Sequence, residues 1–381
     1  MFNSFVESRI SDKVTKMKTI YPTFIMTLTL YFFLPEISFA KESPNRTVEQ
    51  YLSQLAPMVV GRPLSAEELK QINSDKLASI EPIVANWVNS PRFLSSVRLF
   101  TEFRFGLNGS NNSIDFDIPG NIAVYLEKSK LPNSQLVTLN MCVDATLKLI
   151  ACDSQAPYAA GILTTQAFLS KFAGAFNISR AAQMMRRLTC LDYPIAQNIE
   201  PSAAKESLID LFATSKGEKN FGFGTNCYLC HGQFAKHAQL FTKFNLAGKY
   251  IPDANGMQDT DAKSEGGHST KGTLTSHYKD PLIAGSESSE IFGKPVQNLA
   301  EAGAVIAQSP AYSQCTVRKS LGYFLRLKDT TTTTISKELL QQIVAQVEKK
   351  FPKPTFGQLL HGALTDPTVV ESYLTYSKKA D

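Results

Sequence analysis

Past the middle of the chain, two thiols and an imidazole fall together as Cys227-Tyr228-Leu229-Cys230-His231. At this spacing the two thiols can add across the two vinyl groups of a haem while the adjacent imidazole is directed at the iron. A thioredoxin-like redox pair would want a βαβ setting and has no need of the following histidine. A zinc site would need two more ligands, such as a second close Cys or His pair, and His237 alone does not supply them. The expectation is one covalent haem c, held by Cys227 and Cys230, with His231 as the proximal iron ligand. Phe234, Leu240, Phe241, Phe244 and Leu246 then offer apolar surface suited to a haem face, although an ordinary core would use them in the same way.

What lies on the other side of the iron decides the chemistry. A methionine or second histidine makes a low-spin electron carrier, whereas an open position allows small-molecule binding or peroxide chemistry. Met257, in a polar stretch from Asp253 to Gly267, is the first candidate for the distal ligand, with His268 and His277 behind it. A surface Met257 with no iron contact is the plain alternative. His237 is only six residues beyond His231, too close to reach the opposite haem face if the intervening segment is helical. Arg186, Arg187, Lys243 and Lys249 could neutralise haem propionates, with solvated surface charge as their simpler role.

Haem is attached to such motifs outside the cytoplasm, and the first 40 residues read as an export signal. Arg9, Lys13, Lys16 and Lys18 precede an apolar run from Ile20 to Leu34 and the small-residue ending Ser38-Phe39-Ala40, so cleavage is expected after Ala40. The run is short and broken by Pro22 and Pro35, which argues against a transmembrane anchor. No integral membrane segment is expected after cleavage, and the destination is the periplasm or the exterior. Removal takes off four basic and three acidic side chains, lowering the net charge of +5 by one. So weak an excess predicts no nucleic-acid partner.

Beyond the motif four cysteines remain, Cys142, Cys152, Cys190 and Cys315. In an oxidising compartment they can pair in three ways, and sequence alone does not choose among them. Of the three, 142–152 with 190–315 is favoured. The first bridge closes a short local loop, and the second staples the haem-bearing segment at its base.

The elements that must position this chemistry are helical. With 381 residues, 43% hydrophobic and 19% charged, the chain can bury a sizeable core. Ser65-Ala66-Glu67-Glu68 is a capping box that should start a helix. Ile83, Val84, Trp87 and Val88 repeat at helical spacing, and after Ser90-Pro91 so do Leu94, Val97, Phe100 and Phe103, with Phe105 a further candidate. Pro91 suits a first helical turn. Ser309-Pro310 and Asp366-Pro367 are similar starts. Asn108 to Gly120 reads as a loop, and Gln135 to Cys190 as several helices, including one over about Ser179 to Leu188 whose Met184 and Met185 belong to the core. After the connector Thr330 to Thr334, Ser336 caps a helix bearing Leu339, Leu340, Ile343, Val344 and Val347. No segment alternates with a period of two, so the fold class is mainly α, with a helical segment binding the c-type haem. The expected organisation is a signal peptide over 1–40, an N-terminal helical module over 41–120, a haem-binding region with central helices over 121–328, and a C-terminal helical segment over 329–381.

Several stretches around the motif resemble the exported planctomycete-type cytochrome c proteins, a family of domains arranged around one CxxCH. They are Gly61-Arg62-Pro63-Leu64-Ser65, Ser90-Pro91-Arg92-Phe93, Gly161-Ile162-Leu163-Thr164, the arginine-bearing run from Arg186 to Cys190, and Phe241, Phe244 and Gly248 behind the motif. Ser309 to Cys315 and Phe356-Gly357-Gln358-Leu359-Leu360 close the series. The resemblance implies a secreted monohaem protein and supports Cys190 and Cys315 as paired positions. The chain departs from the pattern in a longer, more polar insertion between Tyr250 and Leu299, so within the haem pocket only Cys227, Cys230 and His231 carry over. The function expected is electron transfer to a redox partner protein of unknown identity. A haem enzyme with an open distal site is one rival, but bacterial c-type peroxidases usually need two such motifs. The other is a helical binding module with a structural haem, since far more chain surrounds the motif than a simple shuttle requires.

Overall fold

The computed structural model describes residues 46–111, 113–174, 177–193, 228–254, 283, 285–327 and 335–375. The export signal over 1–40 and the threonine connector lie outside them. Each of the first two helices begins with a capping box. Thr47 caps α1 (Val48–Val60) with Gln50, and Ser65 caps α2 (Ala66–Asp75) with Glu68. The same Glu68 accepts from Arg62 at 2.7 Å and from the Trp87 indole at 2.6 Å, which ties the start of α2 to α3 (Ile80–Val88). Ile83, Val84, Trp87 and Val88 are buried as the spacing predicts.

The next helix, α4 (Phe93–Phe105), starts two residues after Pro91, which sits in the preceding turn and not in the first helical turn. Its buried face is Phe93, Ser96, Val97, Phe100, Thr101 and Arg104, while Phe103 is 55% exposed. Of the expected series, Val97, Phe100 and Phe105 are buried and Leu94 is half-buried, and Phe103 falls off the face for a geometric reason. Steps of three fall about 60° short of a full turn each time, so such a series drifts around the helix. The observed stripe alternates steps of three and four. Between α4 and α5 (Ile118–Lys128) the chain makes a small antiparallel pair, β1 (Ser110–Asn111) and β2 (Ile114–Asp115), so the loop ends earlier than Gly120.

The segment after α5 is much less helical than expected. A short 3-10 turn, Asn133–Leu136, leads into the hairpin of β3 (Cys142–Val143) and β4 (Leu149–Ile150), and only α6 (Gln166–Lys171) precedes α7 (Ile178–Thr189). Local polar bonds win over helix here. Asp144 accepts from the backbone N–H groups of Thr146 and Lys148, and the Cys142–Cys152 bridge closes the hairpin. Helix α7 buries Ala181, Met184, Met185 and Leu188, as anticipated.

After α8 (Tyr228–Gln239) come the antiparallel pair β5 (Ser289–Ile291) and β6 (Lys294–Val296) and the helices α9 (Leu299–Gln308), α10 (Pro310–Phe324), α11 (Lys337–Lys350), α12 (Phe356–Thr365) and α13 (Pro367–Thr375). Ser309 and Asp366 cap α10 and α13 through backbone N–H groups of their first turns, each before a proline whose missing N–H costs nothing there. Ser336 caps α11 as expected. The early helices share their core with the last ones: Phe93 and Phe100 both stack on Phe356, and the Tyr51 hydroxyl donates to the Leu364 carbonyl at 2.7 Å. The class is mainly helical, and among the described residues no helix is long and apolar enough to cross a membrane.

Gly161 stands where the chain returns against Leu136. Its φ of 51° lies in the left-handed region, and a Cβ there would overlap the Leu136 carbonyl oxygen. Gly161→Ala should therefore lose roughly 2–5 kcal/mol of stability, combining the left-handed penalty with overpacking. Urea unfolding followed by far-ultraviolet circular dichroism checks this.

Candidate haem-attachment site

Helix α8 carries the motif in its first turn. Tyr228, Leu229, Cys230 and His231 open the helix, and Cys227, immediately before it, lies outside the described residues. One and two turns beyond position 231 come Phe234 with Ala235, and then Ala238. Ala235 and Ala238 are buried, so neighbouring elements approach the helix closely along that side.

Helix α7 sets the position of α8. At the N-terminal end of α7, the Asn177 amide donates to the Phe241 carbonyl at 3.1 Å, and Arg180 donates to the carbonyls of Phe244 and Asn245 at 2.9 and 2.5 Å. At its other end, Tyr193 packs against Phe234 with ring centroids 3.9 Å apart and the rings tilted by 34°. The two helices therefore run antiparallel, and the C-terminal end of α7 lies toward the motif. That end is anchored by the Cys190–Cys315 disulfide, with Cα atoms 5.2 Å apart, to α10. Both favoured disulfides are present, and the second staples the helix beside the motif.

The arrangement bears on the cofactor through its cysteines. The chain has six, and the two disulfides take up four, leaving Cys227 and Cys230 of the motif. Two thiols and an adjacent imidazole are the donor set that a c-type haem requires, so the residues present fit that group. A zinc set does not gain from His237. Its Nδ1 accepts from the Tyr193 hydroxyl at 2.6 Å, and it also hydrogen-bonds the Glu290 backbone. Residing in α8 itself, six residues past His231, it is no distal ligand either. Met257, His268 and His277 lie outside the described residues.

Leu240, Phe241 and Phe244 are fully buried and Phe234 partly so, but Leu246 is 44% exposed and does not belong to an apolar face. The four basic residues differ in their roles. Arg186 pairs with Asp192 at 2.8 Å, half-buried Arg187 donates to the Arg104 carbonyl and the Gln183 side chain, and Lys243 donates to the carbonyls of Pro252 and Ala254 at 2.6 and 2.8 Å. Of the four, only Lys249 is exposed surface charge.

Two contacts near the helix escaped the sequence. One is the Tyr193–His237 pair itself. The other is Glu287, which accepts from the hydroxyls of both Tyr158 and Tyr250 and joins the chain behind α8 to the approach of β5. Burial raises Glu287 above the usual carboxylate range against the pull of the two hydroxyls. No local pattern marks either cluster, because the partners are tens of residues apart. Comparison with protein-family models, with curated proteins and with solved structures finds no match for this chain.

Burial pushes the His237 imidazole down to about 4, partly opposed by Glu290, so the ring is neutral in the folded protein at ordinary pH. In the unfolded chain it titrates near about 6.5. The unfolded state thus binds the extra proton between these values, and the stabilisation, complete above the unfolded value, is lost as pH falls toward 4. Between pH 7 and 5 this group alone should remove about 2 kcal/mol. Urea midpoints across that range measure the loss, and a His237→Gln variant should show a correspondingly shallower dependence.

Proposed function

We propose that this chain is an exported monohaem c-type cytochrome that transfers single electrons. The observation that carries the reading is the partition of its cysteines: four are consumed in two disulfides, and the two that remain belong to the Cys-x-x-Cys-His motif, of which Cys230 and His231 lie in the first turn of α8. Disulfides and covalent haem both belong to compartments outside the reducing cytoplasm, so the two features support one destination, the periplasm or the exterior. When bound, the haem would supply one-electron chemistry by cycling its iron between ferrous and ferric states.

In this reading the protein's own work is to hold and to insulate. Cys227 and Cys230 would fix the cofactor covalently and His231 would bind the iron. The packing of α8 against α7, with Phe241 and Phe244 buried behind it, would hold the attachment helix in place. Rigidity suits electron transfer, because a site that moves little on a change of charge wastes little energy in reorganisation.

Export of the full chain in a bacterial host that carries the haem-attachment machinery tests the proposal. The purified mature protein should show one haem per chain that acid-acetone does not extract, and Cys230→Ala should abolish stable double attachment. Reduced protein should bind carbon monoxide poorly, as expected of six-coordinate iron. Complete absence of covalent haem overturns the reading, and ready carbon monoxide binding with a high-spin spectrum replaces the carrier with an open-site haem protein. Met257→Ala should remove the far-red charge-transfer band of methionine-ligated ferric haem; an unchanged spectrum excludes Met257 as the distal ligand.

A further inference from the structure

Tyr193 and His237 form the only tyrosine–histidine hydrogen bond among the described residues, and they form it on the helix that bears the Cys-x-x-Cys-His motif. The hydroxyl lies 2.6 Å from Nδ1. Tyr193, just past the end of α7, has no exposure to solvent, and His237 in α8 is 6% exposed. A second bond, from the ring to the Glu290 backbone in β5, orients the imidazole. A carbonyl only accepts, so the one ring hydrogen of the neutral imidazole is spent there and Nδ1 turns its lone pair to the phenol. The direction of the Tyr193 bond is thereby fixed, from phenol to imidazole.

The other hydrogen-bonded tyrosines are held differently. Tyr51 donates to the Leu364 carbonyl and Tyr312 to the Asn133 carbonyl, which are not bases. Tyr373 donates to the Gln54 amide, and Tyr158 and Tyr250 share one carboxyl, Glu287. Tyr193 has a base to itself, within the reach at which a proton passes along a hydrogen bond. Since its ring is closed to solvent, His237 is the one way out for its proton.

The imidazole is also placed to keep that proton. Nδ1–H would face the phenol oxygen, the other N–H would keep the Glu290 carbonyl, and the Glu290 carboxylate favours the charge. The charged groups facing the pair are themselves paired, Arg186 with Asp192 at 2.8 Å beside Tyr193 and Lys236 with Glu290 at 3.0 Å beside His237. A resting phenol is far too weak an acid to protonate an imidazole held at about 4. A phenol that has lost an electron is a strong acid, and does so. The Tyr193 ring also packs 3.9 Å from Phe234, one turn beyond position 231, which gives an aromatic contact between the phenol and the attachment helix.

We propose that Tyr193 is a redox-active tyrosine, which gives one electron to a strong one-electron oxidant while its hydroxyl proton passes to His237 Nδ1. The O–H bond breaks and an N–H bond forms. Tyr193 becomes a neutral tyrosyl radical, His237 an imidazolium, and the oxidant is reduced by one electron; return of the electron sends the proton back. On the haem reading above, the oxidant is haem iron that a peroxide has taken above the ferric state. The pair itself does not rest on that reading.

Two oxidants test it, each followed by electron paramagnetic resonance. The full-length mature chain with Cys227→Ser/Cys230→Ser is oxidised by a flash-generated ruthenium(III) polypyridyl complex, and the haem-loaded protein by hydrogen peroxide. With ruthenium a long-lived tyrosyl radical is expected, formed more slowly in deuterium oxide. Tyr193→Phe should remove it, and Tyr158→Phe/Tyr250→Phe should leave it in place. His237→Gln keeps a hydrogen-bond acceptor but not a base, so it should slow radical formation about a hundredfold. Without any substitution at the pair, the rate should not rise with the concentration of buffer base, because the proton acceptor is internal. An unchanged radical in Tyr193→Phe, an unchanged rate in His237→Gln, or a rate that rises with buffer base overturns the proposal. The same radical with peroxide supports the pair with haem as its oxidant, and the radical with ruthenium alone supports the pair without it. A chain that carries no covalent haem defeats the cytochrome reading, and the ruthenium measurement still decides the role of Tyr193.

Discussion

Arg180 is a positive charge with no exposure to solvent, and among the described residues no carboxylate pairs with it; the centre of the molecule is organised around that constraint. Its guanidinium donates to the carbonyls of Leu169, Phe244 and Asn245 and to the Asn177 side chain, at 2.5 to 2.9 Å. A charge so placed survives only if its donors all meet acceptors, and removal of any one chain segment would leave it unsatisfied. It therefore fixes three things together: the end of α6, the start of α7 and the turn that follows α8. Asn177 completes the arrangement by donating to the Phe241 carbonyl while accepting from Arg180.

With its start held by Arg180 and its end held by Cys190, α7 is restrained at both termini and serves as the reference for α8. The restraints are of different kinds. The N-terminal one is a set of directional hydrogen bonds in low dielectric, and the C-terminal one is covalent. Between them α7 buries Ala181, Met184, Met185 and Leu188 in the core. Tyr193 and His237 add a neutral hydrogen bond at the motif end, where a charged pair would have needed solvent or a counter-ion. The result is that the helix bearing Cys230 and His231 is positioned by an element from a different part of the chain, and the position of any group it carries is inherited from α7.

The same end of α7 is electrostatically uneven. Arg186 is paired with Asp192, just past the end of α7, whereas Arg187 and Arg104 each donate to the other's backbone carbonyl and pair with no carboxylate among the described residues. Reciprocal capture of carbonyls gives good hydrogen bonding and precise packing of α4 on α7, yet it leaves the net charge in place. Packing and charge balance are thus separate requirements at this junction.

The parts of the fold legible in the residues are those governed within a few positions of chain. Capping at Ser65, Ser309, Ser336 and Asp366, the buried stripe of α7 and the Cys-x-x-Cys-His unit each depend on neighbours at most four residues away. Local rules act at full strength there. They misread α4, where a repeat of three mimics a face but drifts off it, and the stretch from Gln135 onward, where a disulfide and side-chain-to-backbone bonds override helix propensity. With Cys227 and Cys230 assigned to the motif, the other four cysteines allow three pairings, and only the packing of α7 on α10 brings Cys190 to Cys315 across 125 residues. Arg180 among its carbonyls, Tyr193 on His237 and Arg104 against Arg187 are likewise products of distant segments meeting. No spacing in the chain encodes them, because each partner is set by how whole helices pack, and that is decided by the burial of every other face at once.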